Sequence, residues 1–310
     1  MAAYIVRRMF YMIPLLLGVT AVVFLLFNVV GGNPAYQILG KNASQEEVRQ
    51  LEHQLGLDRP LVVQYFDYLR QLVCFDFGRS WATKQKISTM IREGLVPSLS
   101  LTVPSFVIGS ILSVLLSLVV AFYRNRLWDR IIVILCVMGM SISILVYIIA
   151  GQYYLSFAFG LFPISGWEPG LKGIPFLVLP AGIWIIVGLG SDVRFYRTVI
   201  LDQTGKEYVL TARAKGVSER LVMLKHVLKN AMIPIVASMT MALPFLFTGS
   251  LLLESFFGIP GLGNMSINAI NASDFPVIKA VTFFGAFLYM AANLLGDILY
   301  RLFDPRIRLE

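Results

Sequence analysis

The long apolar segments of this chain constrain its fold more than any other feature of the sequence. Six segments are long enough to cross a hydrocarbon layer about 30 Å thick, which takes about 20 apolar residues in a helix. They comprise residues 10–30, 98–123, 131–157, 175–191, 231–253 and 277–300. Inside lipid every backbone polar group must be satisfied within such a segment. We therefore expect an all-α polytopic membrane protein with six transmembrane helices.

The composition supports residence in a bilayer. Only 14% of the 310 residues are charged and 57% are hydrophobic, whereas soluble domains carry about 25% charged residues.

The first apolar segment follows Arg7 and Arg8, as in a signal peptide. It exceeds the usual apolar length of about 7–15 residues and no A-x-A site follows, so we interpret it as an uncleaved anchor. The net charge of +8 indicates basic cytosolic loops and does not require nucleic acid as a partner.

The distribution of basic residues predicts the orientation. With the N-terminus inside, sixteen of the Lys and Arg residues lie in segments that face the cytosol. They precede the first span, cluster at residues 124–130 and 194–229, and follow residue 300. The two short outer loops carry only Lys172 and Lys279. This bias predicts that both termini are cytosolic.

Residues 31–97, between the first two spans, are predicted to form a small helical extracytoplasmic domain. Ser44 has the character of an N-cap and acidic residues follow it in the first turn. Gly56 is expected to end this helix, and a second helical pattern follows Pro60. His53 is expected to be a solvated surface residue, so we expect no metal site.

Small residues recur at every fourth position of the second apolar segment. They are Ser105, Gly109, Ser113, Ser117 and Ala121. Small residues at this spacing allow another helix to approach closely. The second span is therefore predicted to pack tightly against a neighbouring helix.

The sequence lacks the groups that would power transport by itself. Asp192 and Asp297 lie near inner ends of spans and Glu254 at an outer end, whereas ion-coupled pumps usually need ionisable groups near mid-membrane. The chain also lacks the G-x-x-x-x-G-K-[ST] phosphate-binding loop. We expect no catalytic residue and no cofactor in this chain, so any driving energy would come from partners.

The most informative polar segment is EYVLTARAKGVSERLVMLKHVLKNAMIP, residues 207–234. It predicts a short helix, a break at Gly216, and a second helix capped by Ser218 that feeds the fifth span. The second helix carries an apolar stripe suited to the membrane surface, made of Leu221, Leu224 and Leu228. The first helix would project into the cytosol, where it could dock on a soluble partner. An ordinary basic interfacial loop is the alternative.

This segment resembles the coupling loop of ATP-binding-cassette importer permeases, especially the first permease of dipeptide and oligopeptide importers. That subfamily shows Y-x-x-T-A-R-A-K-G followed by H-x-L-x-N-A-x-x-P. The matching residues are Tyr208, Thr211, Ala212, Arg213, Ala214, Lys215, Gly216, His226, Leu228, Asn230, Ala231 and Pro234. Of the broader Glu-Ala-Ala-x-x-x-Gly motif, only Ala212 and Gly216 are present.

The resemblance extends over nearly the whole chain. The segments that carry it are YIVRRMFYMIPLLLGV, GLDRPLVVQYFDYL, DFGRSW, ESFFGIPGLG and the ending DPRIRL. It implies a single permease domain over residues 1–310, in the bacterial cytoplasmic (inner) membrane. The implied coupling loop covers residues 200–230, and its ATPase-coupling residues would be Glu207, Tyr208, Thr211, Ala212, Arg213, Ala214, Lys215 and Gly216.

The resemblance also implies partners. They are a second permease, two cytosolic ATPases that bind ATP and Mg, an extracytoplasmic substrate-binding protein and a peptide substrate. Two alternatives remain within the family, namely transport of a nickel chelate or of glutathione. Outside the family, the alternatives are an ion-coupled secondary transporter or a structural membrane subunit.

The fifth span offers a face suited to a translocation path. Its small, polar or adaptable residues are Ser238, Met241, Thr248 and Gly249, with Glu254 at the outer mouth. Met adapts to varied neighbours, which suits varied side chains. Packing of this face against the sister permease is the alternative.

Overall fold

The structure is a computed structural model that describes residues 2–30, 34–40 and 43–303. Within those residues the chain is helical, apart from turns and one isolated antiparallel β-bridge between Arg79 and Lys86. The helices are α1 (Ala2–Leu25), α2 (Pro34–Leu39), α3 (Gln45–Leu55), α4 (Leu61–Val73), α5 (Ile87–Phe122), α6 (Leu127–Ser141), α7 (Ile144–Ala150), α8 (Ile174–Thr204), α9 (Glu207–Ala214), α10 (Glu219–Leu221), α11 (Leu228–Thr248), α12 (Leu251–Phe256), α13 (Leu262–Asn271) and α14 (Phe275–Phe303). Wider π-helical turns continue α1 to Val30 and α7 to Ala158, and join α10 to α11.

Among the described residues, five helices are long and apolar enough to cross a membrane, and a bent pair makes a sixth candidate. The third predicted span, residues 131–157, is not one straight helix. Its two halves, Leu127–Ser141 and Ile144–Ala158, meet at 92°. Ile142 is extended at the bend, and the Ser143 hydroxyl accepts the Leu145 N–H to start the next helix. Apolarity alone could not reveal this bend, because both halves are equally apolar.

Most of the other spanning helices extend beyond their predicted apolar segments, and one ends before its segment does. Helix α5 begins at Ile87, so the last residues of the predicted insertion at 31–97 belong to its first turns. Helix α8 continues to Thr204, so the coupling loop predicted at 200–230 begins at Gly205. The fifth predicted span, 231–253, is interrupted at Gly249. Hydropathy identifies only the apolar part of a helix, whereas the helical hydrogen bonds continue into the polar residues that flank it.

The small residues of α5 pack against α8. Ser105, Ser113 and Ser117 are fully buried, and a Cβ added to Gly109 would contact the Ile185 side chain at 3.6 Å. The Ser113 hydroxyl lies 3.5 Å from an Asp192 carboxylate oxygen. The predicted close packing of the second span is therefore confirmed, and its neighbour is the fourth.

Helix α14 packs between α11 and α1. A Cβ added to Gly296 would approach the Thr240 Cβ at 3.3 Å, so a larger residue there would push α11 away. Near its start, the Phe275 ring packs at a tilt against the Phe27 ring, with a centroid distance of 5.0 Å. Helices α11, α14 and α1 thus form a second packed layer beside α5 and α8.

The two helices predicted between the first two spans are present as α3 and α4, and the short α2 precedes them. Ser44 caps α3 in a capping box with Glu47, and Gly56 ends the helix with a left-handed φ of 69°. Helix α4 then lies against α1, where the Asn28 amide donates to Gln64 at 3.0 Å. The helical nature of this insertion is confirmed, and its location outside the membrane remains a prediction.

A buried aspartate joins this insertion to the last span. Asp274 accepts hydrogen bonds from the Ser80 hydroxyl and from the Trp81 N–H at 3.1 Å. Ser80 and Trp81 end the DFGRSW segment, and both Ser80 and Asp274 are almost fully buried. The loop before α5 is therefore fastened to the start of α14.

Candidate functional site

Helix α9, the predicted docking helix, is anchored by one buried face. Val209 is fully buried and Ala212 is 5% exposed. Both belong to an apolar cluster that also contains residues of α5, α8 and the α10–α11 segment, namely Ala121, Tyr196, Ile200, Val222, Met223, Val227, Ala231 and Ile235. The short helix packs on the π-helical turn Val222–Val227 that leads into α11, and through this cluster it is linked to the ends of α5 and α8.

The opposite face of α9 is open to solvent. The exposed residues predicted to couple are Glu207, Thr211, Arg213, Ala214, Lys215 and Gly216. Leu210 is also exposed, at 54%, although it is a large apolar residue. Single exposed apolar residues are common on protein surfaces, so Leu210 by itself does not identify an interface, but it is the side chain of α9 best placed for an apolar contact with a partner.

Tyr208 connects the two halves of the sequence motif. It is half-buried, and its hydroxyl donates to the Gln203 amide oxygen at 2.8 Å. Burial raises the pKa of Tyr208, and a side-chain hydrogen bond with Asn230 opposes that rise. Tyr208 and Asn230, which are distant in the sequence motif, thus meet at the base of α9.

Gly216 ends this helix in the left-handed conformation, as predicted. Its φ is +78°, and its N–H donates to the Arg213 carbonyl at 2.9 Å while the Val217 N–H donates to the Ala212 carbonyl at 3.3 Å. No atom lies within 4 Å of an added Cβ. The requirement for glycine therefore comes from the backbone conformation and not from crowding.

An ion pair spans this turn. The Arg213 guanidinium donates to both carboxylate oxygens of Glu219, at 3.0 Å from Nε and 2.5 Å from Nη2. The Glu219 carboxylate raises the pKa of Arg213. Sequence reasoning assigned Arg213 to partner docking and did not single out Glu219. The pair instead connects the end of α9 to the start of α10.

The second helix of the loop differs from its prediction in two respects. Ser218 occupies the N-cap position, yet its side chain makes no capping hydrogen bond. The residues that anchor this helix are the buried Val222 and Met223, whereas Leu221 and Leu224 are 53% and 54% exposed. A π-helical turn from Val222 to Val227 shifts the register there, which a simple helical period does not anticipate.

The predicted path residues divide into two groups. Thr248 and Gly249 line a cavity of about 600 Å³ between α11, α12 and α14, together with Trp184, Phe245 and Gly285. Met241 is 72% exposed, and Ser238 is half-buried. A role of these four residues in a path stays a prediction.

Glu254 does not lie at an open mouth. It is fully buried, and its carboxylate accepts hydrogen bonds from the Ser98 hydroxyl at 2.8 Å and from the N–H groups of Ser250 and Gly263 at 3.1 Å and 2.7 Å. A third N–H, from Asn264, lies at 3.2 Å. The carboxylate thus ties α12, the start of α13 and α5 together, so its assignment to the surface of a path is corrected to a structural one.

The glycines around this carboxylate are explained by close approach. A Cβ at Gly249 or Gly261 would overlap the Glu254 carboxylate, and one at Gly263 would lie 2.9 Å from Oε2. Gly249 also has a left-handed φ of 71°. The sequence signal for this site was an acidic residue just before the glycine-rich GIPGLGN segment. Gly249 therefore serves the carboxylate even though it borders the cavity.

These features define a polytopic α-helical membrane protein with an exposed loop helix fastened to the ends of its spans. Residues 113–309 match the family described as binding-protein-dependent transport system inner membrane component. Residues 1–102 match the description of the N-terminal part of such membrane components. The chain therefore belongs to the family of inner membrane components of binding-protein-dependent transport systems.

Individual relatives match from end to end. A protein of Brucella abortus (strain 2308) named as a permease protein of a peptide transport system is 35% identical over 314 residues, covering 100% of both chains. The glutathione transport system permease protein of Salmonella typhimurium (strain LT2) is 34% identical over 311 residues, covering 99% of both. The chain is accordingly a multi-pass transport subunit of the bacterial inner membrane, which confirms the resemblance. The DPRIRL ending lies outside the described residues.

Proposed function

We propose that this chain is the first permease subunit of an ATP-driven peptide importer, and that it forms half of the translocation path. The observation that carries the proposal is the geometry of α9. One face of α9 is buried in an apolar cluster that includes residues of α5, α8 and α11, and the other is exposed around Leu210. A short helix seated in this way suits the transmission of motion from a soluble partner to the spans.

The partners follow from this role. Two cytosolic ATPases would bind ATP with Mg, and one of them would bind α9. A second permease would complete the path, and an extracytoplasmic binding protein would deliver the solute. Closure of the ATPases would shift the two permeases between inward-facing and outward-facing arrangements. The chain itself would supply no chemistry.

The substrate class rests on the relatives. The names of relatives at comparable identity point to peptides and to glutathione, which is itself a tripeptide derivative. A competition experiment separates the two substrates. If excess unlabelled glutathione leaves the uptake of a labelled dipeptide unchanged, the chain serves a general peptide importer. Uptake of glutathione alone would replace peptide with glutathione as the substrate.

Docking of α9 is tested by Leu210→Asp in the complex reconstituted with its ATPases. Because Leu210 is exposed, the change should leave folding intact, yet it would place a carboxylate in the apolar pocket expected on the ATPase. We expect the ATPases to be lost from the purified complex and uptake to stop. The matched control is Leu171→Asp, which alters a leucine that is 85% exposed on the predicted outer side. Retention of the ATPases by the Leu210 variant would contradict docking at α9.

A further inference from the structure

A polar cavity of about 600 Å³ lies between α1, α4 and the start of α14. None of its lining residues belongs to the coupling loop. Four basic side chains line it, namely Arg59, Arg70, Arg79 and Lys279. The acidic residue that lines it is Asp67, which is already paired with Arg59 at 3.3 Å. His53 also borders the cavity, and Arg79 donates to the Lys84 carbonyl. The cavity therefore carries an excess of positive charge.

Lys279 is the centre of this cluster. Its ammonium lies 5.7 Å from the centroids of both the Phe24 and the Tyr68 rings, and it donates to the Asn28 amide oxygen. Within the part of the chain that the structure describes, no carboxylate lies within ion-pair distance of it. An ammonium has three donors, so some remain for a ligand. The Tyr68 hydroxyl is also buried and without a hydrogen-bond partner among the described residues.

The cavity lies at a boundary of the membrane-spanning region. Asn28 is the last residue of the first candidate span, and Lys279 lies about one turn inside the last one, which begins at Phe275. A lysine near the end of a spanning helix extends its ammonium towards the interface, where lipid phosphates lie. Its position thus matches the depth of a headgroup.

Helix α4, which contributes Tyr68 and Arg70 to the cavity, also carries exposed apolar side chains that do not line it. On α4, Val62 is 67% exposed, Phe66 is 64% exposed and Val73 is 77% exposed. A soluble anion would not need such a surface, whereas the acyl chains of a lipid would cover it. The combination of basic cavity and apolar flank distinguishes a lipid from a small anion.

We propose that this cavity binds the phosphate headgroup of an anionic phospholipid, with Lys279 as the principal ligand. Arg70 and Arg79 would add to the attraction from the exposed side, and the Tyr68 hydroxyl would donate to the same phosphate. The bound lipid would then join α4 of the insertion to α1 and α14.

The experiment uses the full-length chain in nanodiscs of phosphatidylcholine with or without phosphatidylglycerol, followed by native mass spectrometry. The wild-type chain should retain phosphatidylglycerol in preference to phosphatidylcholine. Because Lys279 would supply a charged hydrogen-bond donor to the phosphate, Lys279→Met should reduce that preference by about tenfold or more. Lys279→Arg should keep most of it. Lys172→Met removes an exposed lysine away from the cavity and should change nothing.

Two further measurements test the proposal without relying on the Lys279 variant. If Lys279→Met does not accumulate, the double variant Arg70→Gln/Arg79→Gln, which changes two exposed residues, should weaken retention partially. Inorganic phosphate is added in a separate arm. Stabilisation by phosphate alone, with no preference for phosphatidylglycerol, would indicate a free-anion site and overturn the lipid assignment. Equal lipid retention by wild type and by the Lys279 and arginine variants would overturn it as well.

Discussion

At the scale of single residues, the buried carboxylates matter most. Glu254 and Asp274 lie almost completely out of solvent, and each accepts several hydrogen bonds from backbone N–H groups and a serine hydroxyl. A buried charge is tolerated only when such partners compensate for its lost hydration. These two residues therefore fix where loops meet helices, although the sequence presents them as ordinary polar interruptions.

We predict that Glu254→Gln destabilises the chain by roughly 1–3 kcal/mol. The amide nitrogen of glutamine would face backbone N–H groups that now donate to the carboxylate, so at least one buried donor would lose its acceptor. Thermal unfolding of the purified chain measures the effect. Glu168→Gln, at an exposed position, is the control. An unfolding midpoint equal to that of the control would show that the charge is dispensable.

We predict that Gly216→Val uncouples transport without preventing membrane insertion. A β-branched residue with a left-handed backbone is strained by roughly 1–2 kcal/mol, so the turn between α9 and α10 would be displaced. ATPase activity and peptide uptake of the reconstituted complex are measured together. Gly205→Val is the control, because Gly205 has a negative φ of −90° and open space around it. Normal coupling in the Gly216 variant would refute the role of this turn.

At the scale of helices, the ends are set by local hydrogen bonds and the middles by burial. Helix α3 begins at a capping box and ends at a left-handed glycine, and both signals were legible in the sequence. The bend between α6 and α7 is marked locally only by the N-cap Ser143, within a segment that is apolar on both sides. The π-helical turn before α11 has no side-chain cap, and its buried residues Val222, Met223 and Val227 pack within the fold.

We predict that Ser44→Ala weakens α3 by about 1 kcal/mol, because the Glu47 N–H would lose its acceptor. Hydrogen exchange of the amides in the first turn of α3 should quicken, while α4 stays protected. Ser218→Ala is a matched control, since Ser218 also occupies an N-cap position but makes no capping bond. Equal effects of the two substitutions would contradict the capping role of Ser44.

At the scale of the whole molecule, the orientation in the membrane can be tested with a natural probe. Cys74 is exposed and lies in the insertion after α4. With the insertion outside, an impermeant maleimide should label the wild-type chain in spheroplasts, and Cys74→Ser should abolish the labelling. Labelling that requires lysis of the inner membrane would reverse the predicted orientation.

The translocation path can be tested through the cavity beside α11. Thr248 lines that cavity, and its methyl group lies 3.7 Å from the position of a Cβ added to Gly285. We predict that Thr248→Trp fills the space and blocks uptake, while stimulation of the ATPases by loaded binding protein persists. Leu115→Trp, on an exposed face of α5, is the control. Gly249 is unsuitable for this test, because a side chain there would disrupt Glu254. Normal uptake by the Thr248 variant would remove α11 from the path.

Much of the architecture was legible in the sequence. The apolar segments identified the spanning regions, the small residues of α5 predicted its close packing, and the motif from Tyr208 to Gly216 identified the exposed helix. These properties are local: they depend on hydropathy, spacing and backbone conformation within a short segment. The family could be inferred from the same segments.

Only the tertiary structure decided which distant residues meet. Glu254 reads as a residue at the end of a span, yet the folded chain surrounds it with Ser98 and the start of α13. Arg213 reads as a docking residue, yet it pairs with Glu219 across the turn. In the sequence, Lys279 is an isolated basic residue at the outer edge of a span, whereas in the fold its ammonium lies near the Phe24 and Tyr68 rings. The free energy of a buried charge depends on the partners that folding brings to it, and a linear sequence does not contain those distances.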